Sequence, residues 1–231
     1  MELRQLVKEV PYLLETKGDM SVEIAALCSN SREKTENGIF FCFAGAHFDA
    51  HQYAPQAVQN GCVALVVERF LDDVNVPQVL VSNGRAAMAR ICEAFFNHPE
   101  RKMRFVGITG TKGKTTTAHL LAAVLQADGR RVGLVGTNGV CWPGHRHDLN
   151  HTTPESCDLQ LLLRRMADDG CDTCVMEVSS LGLKFDRAAE IEFAVGVFTN
   201  LSPDHIGPDE HADFAEYLFW KRALFRRCRV G

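Results

Sequence analysis

"VGITGTKGKTTTAH" (residues 106–119) decides how this chain is read. The stretch reads as a strand running into a glycine loop and then a helix, and Gly113-Lys114-Thr115 has the form of the end of a phosphate-binding loop. In such a loop, backbone N–H groups and a helix N-terminus face phosphate oxygens while a lysine ammonium reaches the terminal phosphates. Gly110 and Gly113 let the backbone come close, Lys114 supplies the charge, and Thr115 is placed to ligate magnesium. The pattern G-x-x-x-x-G-K-[ST] also asks for a glycine five residues before Gly113, and Ile108 stands there. Whether this is a nucleotide site, and of which kind, has to be settled by its surroundings.

Around the loop, strands alternate with helices. "RFVGIT" (104–109), "RVGLVG" (131–136), "DTCVMEVSS" (172–180) and "FAVGVFTN" (193–200) read as strands. "KTTTAHLLAAVLQADG" (114–129), "ESCDLQLLLRRMADDG" (155–170) and "HADFAEYLFWKRALFRR" (211–227) read as helices, and the segment from Thr137 to Pro154 as a loop. The first hundred residues show a separate alternation: strands at "GIFFCF" (38–43), "CVALVVE" (62–68) and "VPQVLVSN" (76–83), a short helix before Asn60-Gly61, and a helix over 84–99. The polar break "HPERKM" divides the two. The expected class is therefore α/β, with a small α/β domain over 1–100 and a P-loop, parallel-sheet domain over 101–231.

The chain has 46% hydrophobic and 23% charged residues and a net charge of -4, the mix of a globular protein without the basic footprint of a nucleic-acid binder. No apolar run approaches the length needed to span a bilayer, and "MELRQLVKEVPYLLE" carries charges throughout, unlike a signal peptide. An odd number of cysteines, nine, fits reduced thiols, so neither membrane nor nucleic acid is an expected partner and the cytoplasm is the expected location. Cys171 and Cys174 form a C-x-x-C, but no second ligand pair stands at a zinc-site spacing, and they read as two cysteines at the start of a buried strand.

T-G-x-x-G-K-[ST]-[ST], here Thr109 to Thr116, resembles the ATP loop of the Mur ligases and their relatives, the folylpolyglutamate and cyanophycin synthetases, which form amide bonds at the expense of ATP. The resemblance implies an ATP site made of Gly110, Thr111, Lys112, Gly113, Lys114, Thr115 and Thr116, with Lys112 where Asn is common. "NHTTPES" (150–156) is by itself a helix start with hydroxyl caps. Beside the loop it resembles the MurE-type Mur ligase, and implies that Thr152 and Thr153 contact a UDP-sugar substrate. "MEVSS" (176–180) puts a carboxylate at the C-terminal end of a strand, where α/β nucleotide enzymes hold magnesium; its likeness to the family's "EVSS" implies Glu177 as a metal ligand. Ser179 and Arg187 match positions that hold the acidic parts of the substrate, and a guanidinium suits bidentate carboxylate binding. The family's glutamine two residues before this arginine is Phe185 here.

"FTNLSPDHIGPDEH" (198–211) resembles the family's "TNL-x-x-DH" and implies His205 as ligand to a second magnesium, with Asp204 orienting neighbours or touching nucleotide; His211 reads as a surface residue. By periodicity Lys221 is a solvated helix lysine whose stem covers apolar neighbours. The resemblance implies instead a lysine carbamylated by carbon dioxide, an anion that helps to bind magnesium. In "SNSREKTENGIFFCFAGAHFDAHQYAPQAVQNGCVALVVE" (29–68), Ser31 and Arg32 match the uridine-side motif and "AGAHFD" (44–49) the loop near the pyrophosphate, with Asn30 for the commoner Asp and Ala50 for the commoner Gly.

What the family implies for the whole is an ATP- and Mg2+-dependent ligase that adds an amino acid to UDP-MurNAc-L-Ala-D-Glu, with catalytic Lys114, Glu177, His205 and Lys221, acting as a monomer. The chain is expected to break off inside the central domain and to lack the amino-acid-binding domain, and so to be poorly active alone. A folylpolyglutamate- or cyanophycin-type ligase would share the loop but lack the UDP block and "HTTP". A non-catalytic UDP-muropeptide binder would keep recognition without turnover.

Overall fold

The computed structural model describes residues 1–10, 12–45, 48–149 and 151–229. Positions 46 and 47 of "AGAHFD" and position 150 of "NHTTPES" lie outside the described residues. The chain forms two compact units, Met1–Phe95 and Phe96–Gly231, and "HPERKM" falls at the start of the second.

The first unit runs α1 (Leu3–Val7), β1 (Leu13–Lys17), β2 (Ala26–Cys28), β3 (Gly38–Cys42), α2 (Ala54–Gln59), β4 (Cys62–Val67), β5 (Gln78–Val81) and α3 (Gly84–Phe95). Its sheet has the order β1-β5-β4-β3-β2, parallel except for β1. Phe40, Cys42, Leu65 and Val67 pack with Ala54 and Ala57 of α2, while the alternate residues Ile39, Phe41, Ala64 and Val66 are buried as well. Burial on both faces is why β3 and β4 are unbroken apolar runs, and why they are legible in the sequence. β1 is exposed along its length and carries Glu15 and Lys17. Charge on an edge strand discourages further pairing, and it also hides the strand from a hydrophobic pattern.

The second unit contains β6 (Arg104–Thr109), α4 (Lys114–Ala127), β7 (Val132–Gly136), β8 (Gly139–Trp142), β9 (His145–His147), α5 (Ser156–Asp168), β10 (Thr173–Glu177), α6 (Ser180–Lys184), β11 (Phe193–Phe198) and α7 (Phe214–Ala223). The order is β11-β6-β10-β7-β8-β9; the first four strands are parallel and β8 and β9 antiparallel. α4 covers one face through Ala118 and Ala122, over Ile108, Val132, Leu134 and Val175. α5 covers the other through Leu159, Leu163 and Met166, with Phe105, Val135 and Met176. Cys171 and Cys174 are buried free thiols, the latter within β10.

Three expectations are corrected. The segment from Thr137 to Pro154 is not all loop: β8 and β9 form a hairpin, where Trp142 stacks on His145 and His147 and donates from Nε1 to Asp169 at 2.6 Å. The helix expected over 211–227 starts only at Phe214, because Asp213 caps it, accepting from the Glu216 N–H at 2.8 Å while Glu216 accepts from the Ala212 N–H at 2.7 Å. After Ala223 it tightens into a 3-10 helix over Leu224–Arg227. "VSS" turns at once into α6, with Ser179 as its cap. No helix among the described residues is long and apolar enough to cross a membrane.

Candidate functional site

The parallel strands of the second unit all end on one edge of their sheet, the edge where α/β folds bind ligands. β6 lies between β11 and β10, so the loop that follows it has the end of β11 on one side and Glu177 on the other. Ile108 is fully buried beneath α4 as part of β6, and the turn begins two residues later. Gly110 (φ 143°) and Gly113 (φ 81°) adopt backbone angles closed to other residues, and a Cβ on Gly110 would collide with Thr199 Oγ1. The loop is thus a short one that starts beyond the strand, and a glycine at 108 would have nothing to do.

β11's end clamps this loop. Asn200 accepts from the Lys112 N–H at 3.0 Å and donates back to the Lys112 carbonyl at 2.9 Å; Thr199 donates to the same carbonyl at 2.6 Å. Thr111 is buried, its Oγ1 within 3.1 Å of the Tyr217 hydroxyl and accepting from the Ser202 N–H at 3.0 Å. Lys112 and Thr116 are exposed.

Two lysines converge on one carbonyl. Lys114 Nζ donates to Gly110 O at 2.9 Å and to Thr111 O at 3.1 Å, and Lys221 Nζ donates to Gly110 O at 2.8 Å. Lys221 is 1% exposed and lies 4.4 Å from the centre of the Tyr217 ring, so the solvated helix lysine expected from periodicity is instead a buried one. Burial, with the Lys114 ammonium adding to it, pushes the Lys221 amine down to about 7. Burial also lowers Lys114, against the pull of Glu177 and Asp204. Glu177 is fully buried and accepts from Thr115 Oγ1 at 2.9 Å, from the Thr137 N–H at 3.0 Å and from Thr137 Oγ1 at 3.2 Å.

Arg187 and the threonine pair complete the wall. Thr152 Oγ1 is 3.0 Å from Thr137 Oγ1, and buried Thr153 bonds to Ser179, whose Oγ also accepts from the Gly182 N–H at 2.9 Å. Arg187 pairs with Glu155 at 2.7 Å and its guanidinium lies 5.7 Å from the Phe185 ring, while its buried Nε has no hydrogen-bond partner. Phe185, where the family has glutamine, therefore supports the arginine through its ring. His205 is exposed, in the left-handed region (φ 55°), with Nδ1 2.6 Å from Glu210. His211 is fully buried, contrary to the surface position expected, with Nε2 2.9 Å from Ser180 Oγ.

A cavity of about 140 Å³ lies among Lys114, Thr152, Ser179, Arg187, His205 and Lys221. That is room for four or five water-sized groups. The sequence reading missed Thr137, Tyr217, Glu155 and His211. Thr199 and Asn200 were inside a quoted motif without a role. In the first unit, Ser31 is buried and donates to Gln56 at 2.9 Å, Arg32 is exposed, and both border a cavity of about 350 Å³ walled by Phe41, Phe43, Phe48 and Tyr53.

Residues 108–231 match the model of the Mur ligase middle domain. A UDP-N-acetylmuramoyl-L-alanyl-D-glutamate–2,6-diaminopimelate ligase of Clostridium acetobutylicum is 39% identical, with 100% of this chain and 48% of that protein covered. A solved structure of a ligase of the same name superimposes with a TM-score of 0.81 at 23% identity, over 100% of this chain and 46% of the other. MurF ligase from Thermotoga maritima, solved in complex with ADP, superimposes with a TM-score of 0.57 at 21% identity, over 88% and 43%. The chain spans about half the length of the curated relatives it matches.

Proposed function

This chain belongs to the Mur ligase family, and from that premise we propose that it carries the UDP-MurNAc-L-Ala-D-Glu and ATP sites of a MurE-type ligase, which adds the third amino acid of the peptidoglycan stem. The observation that carries the reading is the convergence of two lysine side chains, Lys114 and Lys221, on Gly110 O at the edge of a cavity that Arg187 also lines. Such a concentration of basic side chains fits two anions brought together, a carboxylate and a triphosphate.

In the proposed reaction, the side-chain carboxylate of D-glutamate takes the γ-phosphoryl group of ATP, giving an acyl phosphate and ADP. The amine of the incoming amino acid then attacks the acyl carbon, and phosphate leaves as the amide forms. Lys114 offsets the charge on the transferring phosphoryl group, and the loop N–H groups cradle the neighbouring phosphates. Arg187, Ser179, Thr152 and Thr153 orient the dipeptide, and the first unit's Ser31 and Arg32 hold the uridine diphosphate. Catalysis is then mostly positioning and charge neutralisation, with no protein nucleophile.

Magnesium fits the residues present. Thr115 and Glu177 offer hard oxygen donors 2.9 Å apart, next to the lysine that would face the phosphates. His205, and Lys221 once carbamylated, would hold a second ion; a buried amine with no carboxylate bonded to it among the described residues is suited to capture carbon dioxide in its neutral form. Bound there, magnesium would supply charge neutralisation between the reacting oxygens.

Calorimetric titration of the chain with UDP-MurNAc-L-Ala-D-Glu and with ATP and Mg2+ tests the reading. Saturable binding of both is expected, and the complete protein should release phosphate only when dipeptide and amino acid are both present. Phosphate release that ignores the dipeptide, or a chain that binds neither ligand, would sink it.

A further inference from the structure

We propose that Ser180 is a further ligand-contacting residue of this site, its hydroxyl donating to an anionic oxygen in the cavity, and that His211 is the positioning residue that turns the hydroxyl that way. The inference rests on the ligase reading above. Ser180 opens α6, is 3% exposed, and lines the cavity with Lys114, Arg187, His205 and Lys221. His211 sits behind it, fully buried, with Nε2 2.9 Å from Ser180 Oγ and its ring 5.4 Å from that of Tyr217.

The direction of the bond follows from His211's other nitrogen. Nδ1 is buried and has no hydrogen-bond partner. A proton there would be an orphaned N–H, a rarer and costlier defect than an unused lone pair. The proton therefore belongs on Nε2, which donates to Ser180 Oγ. A hydroxyl that accepts from one side still has its own proton to give. Among the described residues Ser180 Oγ has no other bond: His151, Thr152 and His205 also line the cavity and could accept, but none of them bonds to it, and Lys114 and Arg187 offer only donors. Its proton is thus left for an acceptor brought in by a ligand, and the Lys114 ammonium and Arg187 guanidinium on the same cavity favour an anion. Ser179 differs: its hydroxyl is already engaged with the Gly182 N–H and Thr153.

The anionic oxygen belongs either to the dipeptide's carboxylate or to the terminal phosphate of ATP, and calorimetry with each ligand separates them. Ser180→Ala should weaken one of the two about tenfold, the scale of a hydrogen bond to a charged group, and leave the other within twofold. His211→Leu should weaken the same ligand to a similar degree, and the double variant should be no weaker than Ser180→Ala. His211→Gln, whose amide nitrogen can stand where Nε2 stands, should restore binding. Thermal melts of each variant report on folding; should His211→Leu fail to fold, Ser180→Ala and His211→Gln decide alone. Binding of both ligands within twofold of the unmodified chain by Ser180→Ala overturns the role of Ser180. Loss of both ligands in His211→Gln, or multiplicative effects in the double variant, overturns that of His211. An unmodified chain that binds neither ligand overturns the ligase reading, and this inference with it.

Discussion

Replacing Lys221 with methionine should make the second unit more stable, by an amount that depends on pH. The amine is 1% exposed, its one hydrogen bond among the described residues goes to a carbonyl that already serves Lys114, and the Lys114 ammonium repels it more than Asp204 attracts it. Each tenfold change in proton affinity is worth 1.36 kcal/mol, so a fall from 10.5 to about 7 corresponds to about 5 kcal/mol for burying the charged form. The sign follows from which state holds the proton. Below about pH 7 both folded and unfolded chains are protonated and the whole cost is felt; between 7 and 10.5 the folded state sheds its proton first, so stability rises with pH; above 10.5 the cost is gone. Methionine keeps most of the stem's packing and loses one hydrogen bond of about 1 kcal/mol, leaving a gain of about 4 kcal/mol at pH 6. For a unit of this size that is on the order of 10 °C in Tm. Scanning calorimetry in carbon dioxide-free buffer from pH 6 to 10 checks it, and the difference between the two proteins should shrink steadily above pH 7. A variant that melts lower at pH 6, or a difference that stays flat with pH, would refute the picture of a buried, repelled lysine. Added bicarbonate near pH 8 should raise the Tm of the unmodified chain and leave Lys221→Met unchanged.

Ile108→Gly, which restores the common loop pattern, should cost about 4 kcal/mol through the cavity and the freed backbone, and should not improve ATP affinity; chemical denaturation and calorimetry read the two. Glu177→Gln should remove the strengthening of ATP binding by Mg2+, measured as the ratio of Kd values with and without the ion; an unchanged ratio would take Glu177 out of the metal site. Arg32→Ala should weaken UDP binding about tenfold and leave ATP binding within twofold, whereas equal affinity for UDP would place the uridine elsewhere.

The parts of this fold that could be read in advance are those whose local pattern and tertiary role agree. β3 and β4 are unbroken apolar runs and β6 and β10 have apolar centres because both faces are covered, and α5 shows its buried stripe at helical spacing. β1 and β9 left no pattern because they are short, exposed edge strands, and β8, though buried, is only four residues long and contains a glycine. Side-chain partners were least legible. Thr137 bonds to Glu177 forty positions away, and Tyr217 to Thr111 more than a hundred.

His211 and Lys221 share a more instructive reason. His211 reads as a surface residue, and periodicity alone gives Lys221 to solvent, where both residue types usually lie. His211 is turned inward by a loop that closes on itself, with its N–H on the His205 carbonyl and the Gly207 N–H on its own. One histidine of the loop is thereby buried while the other stays exposed. That reversal depends on pairing between residues in a polar stretch and leaves no hydrophobic signature. Lys221 did leave one. Tyr217 and Leu224, four residues before it and three after, are fully buried, so Lys221 stands in the middle of α7's inward stripe. A lysine on a buried stripe contradicts its own helix, at a stability cost that packing alone would never select. Local rules broken in this way are expected at functional or strained sites, and here the broken rule lies at the same carbonyl, Gly110 O, on which Lys114 also converges.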